Sequence, residues 1–108
     1  MTNADDEIIL SRSTGLPLSK DACDFLRREV EYCFSKEEFL AAGAKHSNIG
    51  SRIINACLGT FDGRHPRLYT GLDLYLYGRT AFMRRKNIRT RSLEAMLKIF
   101  AHHGITDF

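Results

Sequence analysis

Residues 80–103 read TAFMRRKNIRTRSLEAMLKIFAHH, and the reading of this stretch decides the fold. From Arg91 to His103 it places Leu93, Met96, Leu97 and Phe100 three and four residues apart, the spacing of one buried helical stripe. Gly104 stands where a helix needs a left-handed residue to stop, and Ile105 can pack back in a Schellman motif. Thr80–Arg85 reads as a shorter helix with Phe82 and Met83 inward. Lys86–Thr90 is then a hairpin, so the stretch is a helix-hairpin-helix unit hinged at Asn87-Ile88-Arg89.

The same layout occurs upstream. Glu37–Leu58 is hinged at Asn48-Ile49-Gly50, and its second helix, from about Ser51 to Leu58, buries Ile53, Ile54, Cys57 and Leu58 before Gly59 ends it. Both units read as helix, Asn-Ile-X, longer helix, a weak duplication with a period of about forty residues. Between them, GTFDGRHPRLY (59–69) is a loop rich in Gly, Pro and Asp. Thr70 and Asp73 have the spacing of a capping box, which opens a helix over Gly71–Tyr77 that stops at Gly78. Leu72–Tyr77 alternates as a strand would, but the flanking cap and stop signals favour the helix.

Towards the N-terminus, Leu18, Ala22, Phe25, Leu26, Val30 and Cys33 share one face of a helix expected from Ser19 to about Tyr32. Ser35 and Glu38 form a second capping box, with Phe34 and Phe39 as its hydrophobic staple and Gly43 as the stop. The expected fold is all-α, a compact bundle of five to six short helices. It forms a single helical domain over 16–108, with helix-hairpin-helix units at 37–58 and 80–103, after a loosely ordered leader at 1–15.

Composition narrows the function. With 108 residues, 44% apolar and 27% charged, the chain can bury one modest core. Three cysteines without CxxC spacing argue against a disulfide framework and against a zinc site. Buried free thiols, an acidic N-terminus without the apolar core of a signal peptide, and the lack of any run long enough to span a bilayer point to the cytoplasm. The four histidines lack metal-ligand spacing, no nucleophile motif is present, and Glu37-Glu38 is explained by the capping box. An enzyme, a cofactor, a metal, a membrane and a small-molecule substrate are therefore not expected.

Charge is distributed unevenly. Residues 1–44 hold nine acids and five bases, whereas residues 45–108 hold eleven bases and four acids. No acid lies between Asp73 and Glu94, a span that contains Arg79, Arg84, Arg85, Lys86, Arg89 and Arg91. Such a run repels itself, and a polyanion relieves the repulsion while releasing counterions. A tight turn feeding a helix also leaves amide N–H groups unpaired at the positive end of the helix dipole, which suits a phosphate. Two such turns can hold two positions of a nucleic-acid backbone without reading sequence.

Residues 51–105 resemble the C-terminal domain of the bacterial RNA polymerase alpha subunit. Arg52 and Asn55 match that family's Arg/Asn pair. Thr70, Asp73 and Leu74 match its Thr-x-x-Asp-Leu. Asn87-Ile88-Arg89-Thr90-Arg91-Ser92-Leu93 matches its hairpin, and Gly104-Ile105 its end. Arg89 and Ala95 replace a glycine and a glutamate of the family, and the 59–69 loop is longer by about six residues. An earlier register, with Leu18–Leu40 as the opening helix and Asn48-Ile49-Gly50 as the hairpin, puts Asp21 and Asp24 in place of the Arg/Asn pair. The later register keeps the cations.

The resemblance implies a SAM-like helical domain that binds AT-rich double-stranded DNA with low specificity. Arg52 would enter the minor groove, Asn55 would contact sugar or phosphate, and Arg91 and Ser92 would hold phosphate. With the basic run, the nucleic-acid-binding set is Arg52, Asn55, Arg84, Arg85, Lys86, Asn87, Arg89, Arg91 and Ser92. Transcription factors or RNA polymerase are the implied protein partners, and the nucleoid is the implied place. The polymerase subunit's assembly domain is not in the sequence, so a free-standing regulator or accessory module is expected. The alternative is a helical docking or dimerisation module without DNA binding, its acidic first helix (Asp21, Asp24, Glu29, Glu31) facing a basic partner.

Overall fold

Ser19 and Thr70 start two helices that pack on each other, and both carry out the capping their sequences announce. In the computed structural model, which describes residues 7–45, 48–59, 65–85 and 88–108, the Ser19 hydroxyl accepts from the Ala22 N–H at 3.2 Å. Thr70 makes both arms of its box, accepting from the Asp73 N–H while the Asp73 carboxylate accepts from the Thr70 N–H. The helices are α1 (Lys20–Arg27), α2 (Val30–Cys33), α3 (Lys36–Ala41), α4 (Ile49–Leu58), α5 (Gly71–Tyr77), α6 (Arg79–Phe82) and α7 (Thr90–His102). Among the described residues there is no strand, only the isolated bridges Leu10–Pro17 and Glu29–Thr70. The all-α bundle is as expected. No helix of the described residues is long and apolar enough to cross a membrane.

The helix expected over Ser19–Tyr32 is two helices. Arg28 and Glu29 are extended, with ψ of 150° and 149°. The Arg28 carbonyl accepts from the Gly71 N–H and the Val30 N–H donates to the Tyr69 carbonyl, both at 2.9 Å. Bonds to a segment some forty residues away thus replace the helix's own ladder, a tertiary override of local propensity. The close approach needs Gly71, since a Cβ there would lie 3.0 Å from the Cys33 sulfur and 3.2 Å from the Leu26 Cα.

Two further expectations change in detail. Asn48-Ile49-Gly50 is not the turn itself: Ile49 and Gly50 already belong to α4, and the left-handed residue after α3 is Gly43, at φ 71°. In α3 the Ser35 hydroxyl accepts from the Glu38 N–H, but the Glu38 carboxylate turns away to Arg28 and His103, so the second arm of that box is not made. At the other end of the chain, α7 stops as its sequence predicts. Gly104, at φ 81°, donates to Ala101, and Ile105 donates to Phe100, the two bonds of a Schellman motif.

α7 is the central helix, packed on α3 and α4. It buries Ser92, Ala95, Met96, Ile99 and Phe100, a stripe turned slightly from the expected one, with Leu93 and Leu97 only half-buried. Phe100 gathers Phe25 and Phe34 edge-on, at 5.7 and 6.2 Å between ring centres, and stacks on Phe108 at 4.5 Å. The radius of gyration is 13.4 Å, against ~13 Å for one compact domain of about 100 residues.

The expected loose leader is tied down from Ile9 onward; residues 1–6 lie outside the described part. Ser11 N–H donates to Leu16 and Leu18 N–H to Ile9, closing a short arm. The Asp107 carboxylate accepts from the Ser11 hydroxyl, the Ser13 amide and hydroxyl, and the Tyr75 hydroxyl. Burial pushes the Asp107 carboxyl up, but the hydrogen bonds from Ser11, Tyr75 and Ser13 outweigh it and hold it at about 2, below the usual 3.8. A folded value below the unfolded one means a stabilisation complete above that usual value and lost as the pH falls through the folded one. An NMR titration of Asp107 should therefore find its midpoint near 2, with protection of the Ser13 amide falling in the same range. A midpoint at the ordinary aspartate value would refute the tie.

Candidate nucleic-acid interface

Arg52 and Asn55 are exposed on α4, three residues apart and therefore on one face, while Ile53, Ala56 and Cys57 are buried. At the second hairpin Arg84, Arg89, Thr90 and Arg91 are exposed. Ile88 is buried beside them and fixes the entry to α7. Lys86 and Asn87, also expected here, lie outside the described residues.

The N-termini of these two helices differ from those of α1, α3 and α5. Asn48 before α4 and Arg89 before α7 make no side-chain cap. The first helical bonds are Arg52 N–H to Asn48 and Leu93 N–H to Arg89, so the amides of residues 49–51 and 90–92 precede the ladder. They are the donors on which the dipole of a helix concentrates positive potential.

Two expected contacts are corrected. Ser92 is 3% exposed, so its hydroxyl is not displayed for a phosphate; only its backbone stands at the helix end. Arg85 is 5% exposed and turned inward, its guanidinium donating to the carbonyls of Ala56 and Cys57 on the last turn of α4 and to that of Pro66. The Cys57 carbonyl also accepts from the Leu68 N–H at 2.7 Å, and a cation at this last turn meets the negative end of the dipole. This tie puts the chain around Arg84 beside the turn of α4 that bears Asn55. It also brings in Arg67, exposed next to Pro66, which sequence reasoning did not select. The signal was present in the sequence, where Arg67 follows Pro66 in a loop that also holds Arg64. Arg52 is one turn further along α4, and Arg91 lies on the first turn of α7.

Charge pairing separates the two poles. The ion pairs between described residues are Lys20–Asp24, Arg27–Asp24, Arg28–Glu38, and His103 with Asp21 and with Glu38. Arg52, Arg67, Arg84, Arg89 and Arg91 pair with no described carboxylate, and Glu94, one turn from Arg91, does not neutralise it. His103 is a core group: its Nδ1 is 3.1 Å from Asp21, its Nε2 is 2.7 Å from Glu38, and its ring stacks on Phe25 at 4.1 Å.

The thiols of Cys33 and Cys57 are buried, and desolvation pushes both up to about 12, which leaves them without thiolate character. Among the described residues no group of three or more His, Cys, Asp or Glu side chains could hold a metal ion. Comparison of the chain with protein-family models, with curated proteins and with solved structures gave no match.

Proposed function

We propose that this chain is a non-enzymatic module that binds double-stranded DNA, gripping phosphates at two helix N-termini and setting Arg52 in the minor groove of AT-rich sequence. One observation carries the reading: the exposed Arg52, Arg89 and Arg91, which have no acidic partner among the described residues, stand at the uncapped first turns of α4 and α7, while the described ion pairs involve α1, α3 and His103 at the far end of α7. Cations without a described acidic partner, beside amides that precede the helical ladder, suit a backbone of phosphates better than they suit a protein surface, which would have to match each charge. The resemblance to the polymerase alpha C-terminal domain extends the reading to transcription. A regulator of that kind would meet transcription factors or RNA polymerase through its remaining surface.

A docking module without DNA binding is the second reading, and the exposed Tyr32, Leu40, Tyr69 and Leu76 favour it. Fluorescence anisotropy with a labelled A-tract duplex at low salt separates the two. The DNA reading expects saturable binding whose log affinity falls linearly with log salt. Arg52→Ala should weaken it by about 1.5–3 kcal/mol, the worth of a charge-assisted contact. No rise in anisotropy at high protein concentration would leave the docking reading standing.

A further inference from the structure

We infer that Arg85 is a positioning residue for the nucleic-acid face: it locks the chain at Arg84 onto α4 and so sets the spacing between the exposed cations on either side. The inference rests on the DNA-binding reading. Arg84, Arg85 and Lys86 are three consecutive cations in the sequence. Arg84 is exposed, and Arg85 is driven inward, where no carboxylate among the described residues meets it.

The contacts of Arg85 come from three parts of the chain. One guanidinium nitrogen donates to Ala56 at 2.6 Å and to Cys57 at 3.2 Å, and the other donates to Pro66. The group lies over the Tyr77 ring at 4.7 Å and over Phe82 at 5.9 Å, and its Nε has no partner. A buried cation with no counter-charge among the described residues is a costly way to stabilise a fold, and an apolar side chain among such aromatic neighbours is often as good or better. What the planar fork alone supplies is direction, because it can bind carbonyls of α4 and of the 65–68 segment at once. Asn55 immediately precedes the two α4 acceptors, Arg67 follows Pro66, Arg84 adjoins Arg85, and Arg89, four residues later, stands just before α7. The Leu68 N–H, donating to Cys57 at 2.7 Å, already ties the segment of Arg67 to α4, so what the guanidinium adds is the hydrogen-bonded link from both of them to the chain at Arg84.

The test compares the full chain with Arg85→Met and Arg85→Lys, all kept well below their melting temperatures, with helicity followed by circular dichroism. Binding of the A-tract duplex is measured by anisotropy across a salt series. Arg85→Met should keep its helicity, bind at least tenfold more weakly, and lose more of the log–log salt slope than the ~0.9 that one phosphate contact contributes. Arg85→Lys should not restore either quantity, because an ammonium cannot span the same acceptors.

Unchanged affinity and slope in a folded Arg85→Met would reduce Arg85 to a staple and overturn the proposal. So would a slope loss of only about 0.9 together with full recovery in Arg85→Lys, the signature of a direct phosphate contact. Failure of both variants to fold would assign Arg85 to stability and overturn it equally. A wild-type chain that does not bind the duplex would sink the DNA reading itself, and the positioning role with it. That outcome is distinct, since the variants would then have no binding to lose.

Discussion

Replacing Arg84, Arg89 and Arg91 together by alanine is expected to cut duplex affinity on the order of a thousandfold and leave the fold intact. All three are exposed, and none is paired with a described carboxylate, so no internal contact is lost when they go. Surface substitutions of this kind move stability by about 0.5 kcal/mol or less. Binding is different. Each charge-assisted contact to phosphate is worth roughly 1.5–3 kcal/mol. A thousandfold loss corresponds to about 4.1 kcal/mol, which three such contacts exceed even with a shortfall from non-additivity. The salt slope should also drop by about 0.9 for each contact removed. Lys36→Ala is the control, an exposed cation on α3 at the acidic pole, and it should change little. A triple variant that binds with wild-type affinity and slope would remove this face from the interface.

How far the sequence led differs between elements, and the range of the interactions explains the difference. α5 and the end of α7 were legible to the residue because their signals are local: Thr70 with Asp73 three residues on, and Gly104 with Ile105 beside it. The break at Arg28-Glu29 was not legible. Nothing within α1 and α2 opposes a continuous helix, and the bonds that unwind it come from Tyr69 and Gly71. Glu38 had the right spacing for a reciprocal cap, yet His103, sixty-five residues away, and Arg28 hold its carboxylate instead. Among the residues selected for nucleic-acid binding, Arg52, Asn55, Arg84, Arg89 and Arg91 are exposed. Arg85 and Ser92 could not be told apart from their neighbours, because which member of a cationic run meets the carbonyls of α4 depends on how two distant helices pack. The leader looked loose because Asp107, which ties it, lies at the opposite end of the sequence.

Gly71→Ala should lower stability by roughly 1–3 kcal/mol, the cost of overpacking a closely fitted site. Intrinsic propensity points the other way, since alanine is a better helix former than glycine by about 1 kcal/mol. The φ of Gly71 is not in the left-handed region, so its backbone presents no obstacle. The sign is decided by the surroundings. The added Cβ would sit 3.0 Å from the Cys33 sulfur, 3.2 Å from the Leu26 Cα and 3.3 Å from the Leu26 carbonyl oxygen. Two of those three atoms are backbone of α1 and cannot swing aside. Relief requires α5 to back away from α1, which stretches the Gly71 to Arg28 and Val30 to Tyr69 bonds that hold the α1–α2 break open. For a domain of this size each kcal/mol lowers the melting temperature by about 4–8 °C. Hydrogen exchange should quicken first at the Gly71 and Val30 amides.

Two further variants separate this mechanism from a backbone effect. Cys33→Ala in the Gly71→Ala background removes the sulfur contact alone, so the double variant should still melt below Cys33→Ala. Gly43→Ala meets open space and suffers only its positive φ of 71°, at a cost of about 1–2 kcal/mol without any change in exchange at Val30. If Gly71→Ala melted at or above the wild type, α5 would not approach α1 as closely as described. The tertiary bonds that split the first helix in two would then lose their physical cause.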